Sequence, residues 1–260
     1  MPYEKPDTDN TFTWKQCTME LLGTFALCYV GGWAVMMCDL GHTNVTAVAL
    51  AHMFVLGFMI WAGAGISGGH YNGAVTLALL SSGHIGVAKW GAYIASQFVG
   101  SLLAGLLLMV MKYGYTLDKA AFKSQLGYPH AAHAVYGLFA CFLAEVVATF
   151  FLTFMVYATA VAKTKPQSEV YGLTIGGALG MAILSVGPMT GAALNPWRVV
   201  GPAVISGELF DIEGFGYAWI YYIGCPLGGL LCSVFWTLTM MYEKAEVERT
   251  FNDDDLPLNA

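Results

Sequence analysis

Two stretches of the sequence decide the fold: SGGHYNGAV at residues 67–75 and TGAALNPWRV at residues 190–199. They lie 123 residues apart, and each places an asparagine before a short apolar run, Gly73 to Leu80 in the first and Trp197 to Ile205 in the second. Runs of eight or nine residues are too short to cross a bilayer as helices, which takes about 20 residues. They are also too apolar for solvated loops, so we interpret them as re-entrant half-helices.

Longer apolar runs lie on both sides of these two stretches. They predict six membrane-spanning helices, at residues 14–38, 45–66, 87–111, 135–162, 170–188 and 217–242. A second pair of similar segments, MELLGTF at 19–25 and AEVVATF at 144–150, indicates an internal repeat. Three spans in each half require the halves to enter the membrane upside down relative to each other. The predicted fold class is therefore an all-α membrane protein with six transmembrane helices and two re-entrant half-helices in an inverted 3+3 repeat.

The composition also indicates a protein that lies in a lipid bilayer. Of the 260 residues, 57% are hydrophobic and 11% are charged, against about a quarter charged in soluble domains. A net charge of −6 without a Lys/Arg cluster argues against nucleic acid as a partner. The six cysteines show no metal-site spacing, so we expect buried free thiols. No cofactor or metal is expected.

Positive charges are divided unevenly between the two sides of such a bundle. The side that carries both termini holds Lys5, Lys15, Lys89, Lys163, Lys165, Lys244 and Arg249. The opposite side holds Lys112, Lys119 and Lys123. The excess predicts that the termini face the cytosol.

Each asparagine is a candidate N-cap, because its side chain accepts hydrogen bonds from the unpaired donors of a first helical turn. Pro196 then takes the first helical position of the second half-helix, where a missing N–H costs nothing. If the repeat brings Asn72 and Asn195 together, each amide nitrogen is free to donate into a shared lumen, beside the positive end of a helix dipole. The alternative is that the two residues only cap two buried turns.

These boxes, Asn72-Gly73-Ala74 and Asn195-Pro196-Trp197, resemble the paired Asn-Pro-Ala signature of the major intrinsic protein family, the aquaporins. SGGH before the first box and GPA after the second are similar as well, and the likeness extends over about residues 14–242. Gly73 replaces a proline and gives its backbone more freedom. Trp197 places a large ring where the family has a methyl group, which leaves the packing and the lumen width there open.

The resemblance implies a passive channel rather than an enzyme, built as a right-handed bundle and assembled as a homotetramer. Its expected solutes are water and small neutral molecules, with protons and ions excluded. In domain terms, residues 1–13 form an N-terminal tail, 14–242 the channel (repeats 14–111 and 135–242), and 243–260 an acidic tail.

The resemblance also assigns a selectivity filter. An arginine inside a membrane is expensive unless it lines a wet cavity or binds backbone carbonyls, and the likeness makes Arg198 the cationic wall of the filter. The other filter positions, matched by their spacing from the two asparagines, are His52, Ile183 and Ala192. This set is similar to the tonoplast intrinsic protein subgroup, which implies passage of ammonia as well as water. For His52 the structural alternative is a satisfied core side chain.

A further histidine, His130, matches a loop histidine of the same subgroup that leans on the filter arginine. His133 competes for this place, and an ordinary solvated loop histidine is the alternative. In contact with Arg198, the charge change of His130 between about pH 5 and 8 would modulate the filter.

Glu20 and Glu145 are carboxylates at equivalent positions of the two repeats, inside apolar spans. Paired acids suggest a proton relay, but neither has a second acid beside it to pass a proton on. We interpret them as structural acceptors for the backbone of the re-entrant loops.

Other functions remain open at this point. A glycerol- or urea-type channel is disfavoured, because glycerol-conducting relatives carry an Asp and a basic residue where this chain has Val199 and Ala203. An ion-coupled secondary transporter also uses inverted repeats and broken helices, but it needs an ionisable pair at the midplane. A closed junction protein, plugged by Trp197, is a further alternative. The filter residues do not decide between a vacuolar and a plasma membrane.

Overall fold

The computed structural model describes residues 9–115, 126–129, 133–162, 170–207 and 212–254. The helices are α1 (Trp14–Asp39), α2 (Val45–Ser67), α3 (Gly73–Ser81), α4 (Val87–Tyr115), α5 (His133–Tyr136), α6 (Leu138–Val156), α7 (Tyr171–Thr190), α8 (Trp197–Ser206) and α9 (Ile212–Asp254), with a π-helical turn at Tyr157–Val161 after α6. Within the described ranges, six helices are long and apolar enough to cross a membrane: α1, α2, α4, α6 with its π-helical turn, α7 and α9. The predicted fold class is confirmed.

The packing of the helices repeats when the two halves are exchanged. In the first half α1 packs against α2 and α4, and in the second half α6 packs against α7 and α9. The half-helix of each repeat lies on the last long helix of the other, so that α8 contacts α4 and α3 contacts α9. The two halves meet directly where α2 packs against α7. Because each half-helix packs against the opposite repeat, the two asparagine boxes lie next to each other where the repeats meet.

Glycines allow the long helices to cross closely. A Cβ atom added to Gly100 on α4 would lie 2.3 Å from the carbonyl oxygen of Leu21 on α1, and one added to Gly228 on α9 would lie 2.3 Å from that of Val146 on α6. No real Cβ tolerates such distances, so both sites require glycine. Close backbone approach over small residues is the usual way in which membrane helices associate.

The last helix is longer than the apolar run that predicts it. It begins at Ile212 and continues to Asp254, through the position where the acidic tail was expected to begin. Residues 241–250 are mostly strong helix formers and contain no Gly or Pro, so helix propensity carries α9 past the end of the apolar span.

The N-terminal segment is folded against the bundle from Asp9 onwards. The carbonyl oxygen of Asp9 accepts from the backbone N–H of Gly86 at 2.9 Å. The side-chain oxygen of Asn10 accepts from the backbone N–H of Ala88 at 2.8 Å and so caps the first turn of α4. Thr13 and Gln16 then form a capping box that begins α1.

Candidate functional site

The two re-entrant loops are joined by a reciprocal pair of hydrogen bonds from the asparagines. Nδ2 of Asn72 donates to the carbonyl oxygen of Leu194, and Nδ2 of Asn195 donates to the carbonyl oxygen of Tyr71, both at 2.8 Å. Leu194 and Tyr71 directly precede the two asparagines in sequence. The bonds are therefore equivalent under exchange of the repeats, and they hold the N-terminal ends of α3 and α8 together.

Each asparagine amide is thus less free than the sequence suggested. We expected each amide nitrogen to donate into a shared lumen, and the structure shows that one N–H of each is taken by the opposite loop. An amide nitrogen carries two N–H groups, so one remains on each residue. Both Asn72 and Asn195 line the cavity described below.

The side-chain oxygens of the same residues cap the two half-helices. Oδ1 of Asn72 accepts from the backbone N–H of Ala74 at 2.9 Å, and Oδ1 of Asn195 accepts from that of Trp197 at 3.1 Å. The regular part of α8 begins at Trp197, and Pro196 before it already has helical backbone angles, φ −58° and ψ −29°. Its first turn is tightened by bonds that span three residues, from Arg198 to Asn195 and from Val199 to Pro196, as in a 3₁₀ turn.

Left-handed backbone conformations aim the carbonyl groups of the reciprocal bonds. Tyr71 has φ 48° and Leu194 has φ 53°, a region that residues other than glycine rarely adopt. Such strain persists only where the surroundings fix it. Here the carboxylates of Glu20 and Glu145 do so, because each binds the backbone N–H of the strained residue.

Glu20 is the acceptor at the centre of the first loop. Its Oε1 accepts from the Ser67 hydroxyl at 2.6 Å and from the His70 N–H at 3.0 Å. Its Oε2 accepts from the Tyr71 N–H at 2.8 Å and from the Gln97 side-chain amide at 2.8 Å. The carboxylate is fully buried, and four donors compensate its charge.

Glu145 does the same in the second loop. Its Oε1 accepts from the Thr190 hydroxyl at 2.6 Å and from the Ala193 N–H at 2.9 Å. Its Oε2 accepts from the Leu194 N–H at 3.0 Å, and the fourth donor is the Cys225 thiol at 3.5 Å. Thiols are weak donors, so the second carboxylate is held less firmly than the first.

A cavity of about 420 Å³ leads to the asparagine pair. Its polar lining residues include Gln16, His84 and Lys89 and also Asn72, Asn195 and Arg198. Aliphatic side chains form much of the remaining wall, among them Leu27, Leu56, Ile60, Leu152, Ile175 and Leu179. Apolar walls that carry a few polar groups suit a small uncharged solute.

Arg198 lines the cavity and is 4% exposed. One guanidinium nitrogen, Nη1, donates to the carbonyl oxygens of Ala192 and Ala193. The side chain thus both lines the cavity and ties its own loop to the start of α8. These are the two surroundings in which an intramembrane arginine is tolerable.

The other predicted filter residues that the structure describes, His52, Ile183 and Ala192, are not among the residues that line this cavity. His52 is fully buried and lies within electrostatic range of the guanidinium. Its Nδ1 is 2.8 Å from the carbonyl oxygen of Val48, and its Nε2 faces Gly31 with no partner among the described residues. Ile183 and Ala192 are buried in one apolar cluster. His130 lies outside the described residues.

Trp197 does not plug the cavity. Its indole Nε1 donates to Oε1 of Gln97 at 2.9 Å, and its ring packs against Phe98 with centroids 5.6 Å apart. Both partners lie on α4, so the ring points between the helices. Gly73 lies under the indole, and Ala74 is fully buried at the contact between α3 and α9.

An ion pair joins the N-terminal segment to a residue that lines the cavity. Nζ of Lys89 lies 2.5 Å from the Asp9 carboxylate and 5.6 Å from the centre of the Tyr93 ring. The hydrogen bond from Lys89, with two more from Thr11, holds the pKa of the Asp9 carboxyl at about 2, below its ordinary 3.8. The charge of this cavity-lining lysine is therefore paired with that of Asp9.

The sequence analysis missed two residues that shape the site. His70 lines the cavity, and its ring packs edge-on against Tyr93 with centroids 5.1 Å apart. The sequence contained a signal for His70, because the equivalent position in the second repeat holds a small apolar residue, Ala193. The role of Gln97 was harder to predict from the sequence. Its equivalent in the second repeat, Cys225, lies 128 residues later, whereas the two asparagine boxes lie 123 residues apart.

Known proteins share this sequence pattern and fold. Residues 7–236 match the family described as Major intrinsic protein. Aquaporin TIP4-4 of Zea mays is 37% identical over 223 residues, which cover 83% of this chain and 82% of that protein. Aquaporin TIP4-1 of Arabidopsis thaliana is 35% identical over 252 residues, which cover 94% of this chain and 92% of that protein.

A solved structure is similar in its fold. The aquaglyceroporin from Plasmodium falciparum superposes with a TM-score of 0.72, covering 85% of this chain and 94% of that one. Its sequence is 22% identical, so this likeness concerns the arrangement of helices and not the solute.

Proposed function

Because the chain belongs to the major intrinsic protein family, the aquaporins, we propose that it conducts water as its main solute, passes ammonia, and excludes protons and ions. Family membership makes it a passive membrane channel for water and small solutes rather than an enzyme. The observation that carries the finer proposal is the reciprocal bonding of Asn72 and Asn195 at the wall of one cavity.

The geometry of the asparagine pair supports exclusion of protons. Each amide retains one N–H, and each lies at the N-terminal end of a half-helix, where the helix dipole contributes about half a positive charge. A water molecule between them turns its oxygen toward both donors. Its hydrogens then point away along the lumen, which interrupts the chain of hydrogen bonds that proton transfer needs. The same positive ends, together with Arg198, repel cations.

The surroundings of Arg198 support ammonia as a second solute. Ala192, whose carbonyl oxygen binds the guanidinium, and Ile183 are buried apolar residues of one cluster, and neither donates a side-chain hydrogen bond. Ammonia is uncharged and only slightly larger than water, so a filter that combines these two positions with Arg198 and His52 does not discriminate strongly against it.

The carboxylates argue against the ion-coupled transporter. A coupled transporter needs an ionisable group that gains and loses a proton or ion during the cycle. Glu20 and Glu145 each accept four hydrogen bonds, which leaves little capacity for an ion. The ion pair of Lys89 with Asp9 lies beside the N-terminal segment and away from both carboxylates.

We also propose a homotetramer, on the basis of family membership. Large apolar side chains on the outside of the single chain, such as Phe58 and Phe139 at 58% and 72% exposure, need lipid or a neighbouring subunit to cover them. Native mass spectrometry of the detergent-solubilised protein would show four chains, and a monomer as the largest species contradicts this assembly.

Stopped-flow light scattering on proteoliposomes tests the proposed solutes. We expect water efflux well above that of empty liposomes, and alkalinisation of the lumen after addition of ammonia. A pH gradient across the same vesicles should decay no faster than in empty liposomes. Water flow equal to that of empty liposomes, or solute uptake that requires an ion gradient, contradicts the proposal.

A further inference from the structure

The two departures from the Asn-Pro-Ala signature lie against each other in space. A Cβ atom added to Gly73 would lie 2.9 Å from Nε1 and 3.2 Å from Cε2 of Trp197, and 3.2 Å from Cγ of Pro196. The indole of the second box therefore occupies the space that any larger residue in the first box would need. Gly73 and Trp197 are 124 residues apart in sequence and pack directly against each other.

The indole is held in this place by α4. Its Nε1 donates to Oε1 of Gln97 at 2.9 Å, and its ring lies against Phe98. The carbonyl oxygen of Trp197 accepts from the Ser101 hydroxyl at 2.5 Å. A larger side chain at position 73 would push the ring away and strain the bond to Gln97.

Gln97 carries the contact from Trp197 to the first asparagine. Its Nε2 donates to Oε2 of Glu20 at 2.8 Å and to the hydroxyl of Thr76 at 2.9 Å. Glu20 binds the N–H of Tyr71, the residue before Asn72, and the Thr76 hydroxyl donates to the carbonyl oxygen of Asn72 at 2.8 Å. The backbone of Asn72 is thus fixed on both sides by a network that ends at the indole.

Loss of the indole N–H would leave an unpaired acceptor. Gln97 is fully buried, and a buried polar atom without its partner costs far more than the hydrogen bond contributes when formed. The amide cannot compensate by turning over, because its NH₂ group already serves Glu20 and Thr76. Trp197 therefore stabilises the orientation in which Gln97 supports the first loop.

We propose that Gly73 and Trp197 form a compensating pair, in which Trp197 of the second repeat is a positioning residue for Asn72 of the first. The pair replaces the packing of the proline and the methyl group of the usual triplets and sets the width of the lumen between the asparagines. This inference rests on the proposed channel function. It assigns a role to the two residues that depart from the family signature.

A double-mutant cycle tests the pair through water permeability per channel and the urea-to-water permeability ratio. We expect Gly73→Ala to lower water permeability about tenfold, which corresponds to roughly 1.4 kcal/mol in the barrier. In Gly73→Ala with Trp197→Ala, the added methyl group has room, so permeability should return to that of Trp197→Ala alone. The matched control is Gly177→Ala, because a Cβ atom there meets nothing within 4 Å, and it should match wild type.

A second variant separates the ring from its N–H. Trp197→Phe keeps an aromatic ring over Gly73 and loses the bond to Gln97, so we expect a raised urea-to-water ratio. Gln97→Leu also takes the amide from Glu20 and Thr76 and should raise the ratio at least as much. In Trp197→Phe with Gln97→Leu the ratio should be no higher than in Gln97→Leu alone, because both variants break the same network. A merely structural role for Trp197 would change the amount of folded channel and leave this ratio constant.

Each outcome decides one proposal. If Gly73→Ala does not fold, folding of the double variant supports the pair, and failure of the double variant overturns it. Wild-type behaviour of Gly73→Ala, or effects of the two alanines that simply multiply, also overturns it. Absence of water flow in the wild type would instead overturn the proposed function, and the coupling would then still be measurable as a difference in thermal unfolding.

Discussion

The loop of the first repeat, residues 67–72, and the loop of the second, residues 190–195, make the same hydrogen bonds with different side chains. In each loop a hydroxyl and two backbone N–H groups bind a buried glutamate. In each, a tyrosine from the last long helix of the repeat donates to the loop, Tyr93 to Ser67 and Tyr221 to Thr190. The scaffold is therefore symmetric.

The differences lie where the loops face the cavity or each other. The first loop carries His70 where the second carries Ala193, and only the second box is followed by an arginine, Arg198. Behind the loops, the fourth donor to the glutamate is an amide in the first repeat and a thiol in the second. The comparison teaches that the repeat preserves the hydrogen bonds from each loop to its glutamate and varies the residues that line the cavity.

The largest effect is expected from the two glutamates. Glu20→Gln or Glu145→Gln places an NH₂ group against backbone donors, which should destabilise the fold by roughly 3 kcal/mol, the scale of a lost hydrogen bond to a charged group. Glu20→Gln should cost more, because Gln97 is a stronger donor than Cys225. Thermal unfolding in detergent measures both variants, and wild-type unfolding temperatures would contradict the shared scaffold.

The next effect concerns the arginine that only the second repeat possesses. Arg198→Val removes the guanidinium from the cavity and should raise the permeability to urea and glycerol relative to water about tenfold, or roughly 1.4 kcal/mol in barrier height. His70→Ala at the wall of the first repeat is the matched comparison and should change this ratio less. Proteoliposome shrinkage measures the ratios. An unchanged ratio in Arg198→Val would remove that residue from the filter.

A smaller effect tests the backbone of the loops. Gly69 has φ 66° and the equivalent Ala192 has φ 47°, so only the second repeat bears the cost of a left-handed alanine. Ala192→Gly should stabilise the protein by about 1 kcal/mol and Gly69→Ala should destabilise it by a similar amount. Chemical or thermal unfolding gives both values. Changes of the same sign would show that the two loops are not equivalent in backbone strain.

The smallest effect concerns the N-terminal segment, which contacts the first repeat. Because the folded-state pKa of Asp9 is about 2, below 3.8, its ion pair with Lys89 stabilises the fold above about pH 4 and is lost as the pH falls through about 2. Asp9 is about half exposed, so the contribution is below about 1 kcal/mol. The unfolding temperatures of wild type and Asp9→Asn should differ by a constant small amount from about pH 5 to 8 and converge at lower pH. A difference that grows on acidification would contradict the assigned pair.

The sequence was sufficient for the fold, because segment lengths and hydropathy are local properties. Six long apolar runs, two short ones and a repeated Asn determined the number of spans and the two half-helices. The positions of Glu20 and Glu145 inside apolar spans also indicated a bonded acceptor. These predictions needed no knowledge of which side chains touch.

The contacts of the site were beyond the sequence because they depend on tertiary conformation. The reciprocal bonds require left-handed Tyr71 and Leu194, a conformation that no residue preference favours. The packing of Trp197 depends on the missing side chain of Gly73, and each departure considered separately suggested a looser or a blocked lumen. Together the two residues fill one space.

An experimental structure in lipid that resolves ordered water tests the central claim most directly. We predict a continuous file of water oxygens past the asparagine pair, with one oxygen at about 2.7–3.2 Å from Nδ2 of both Asn72 and Asn195. Protein atoms between the two amides, or a dry gap where they face each other, would contradict the account.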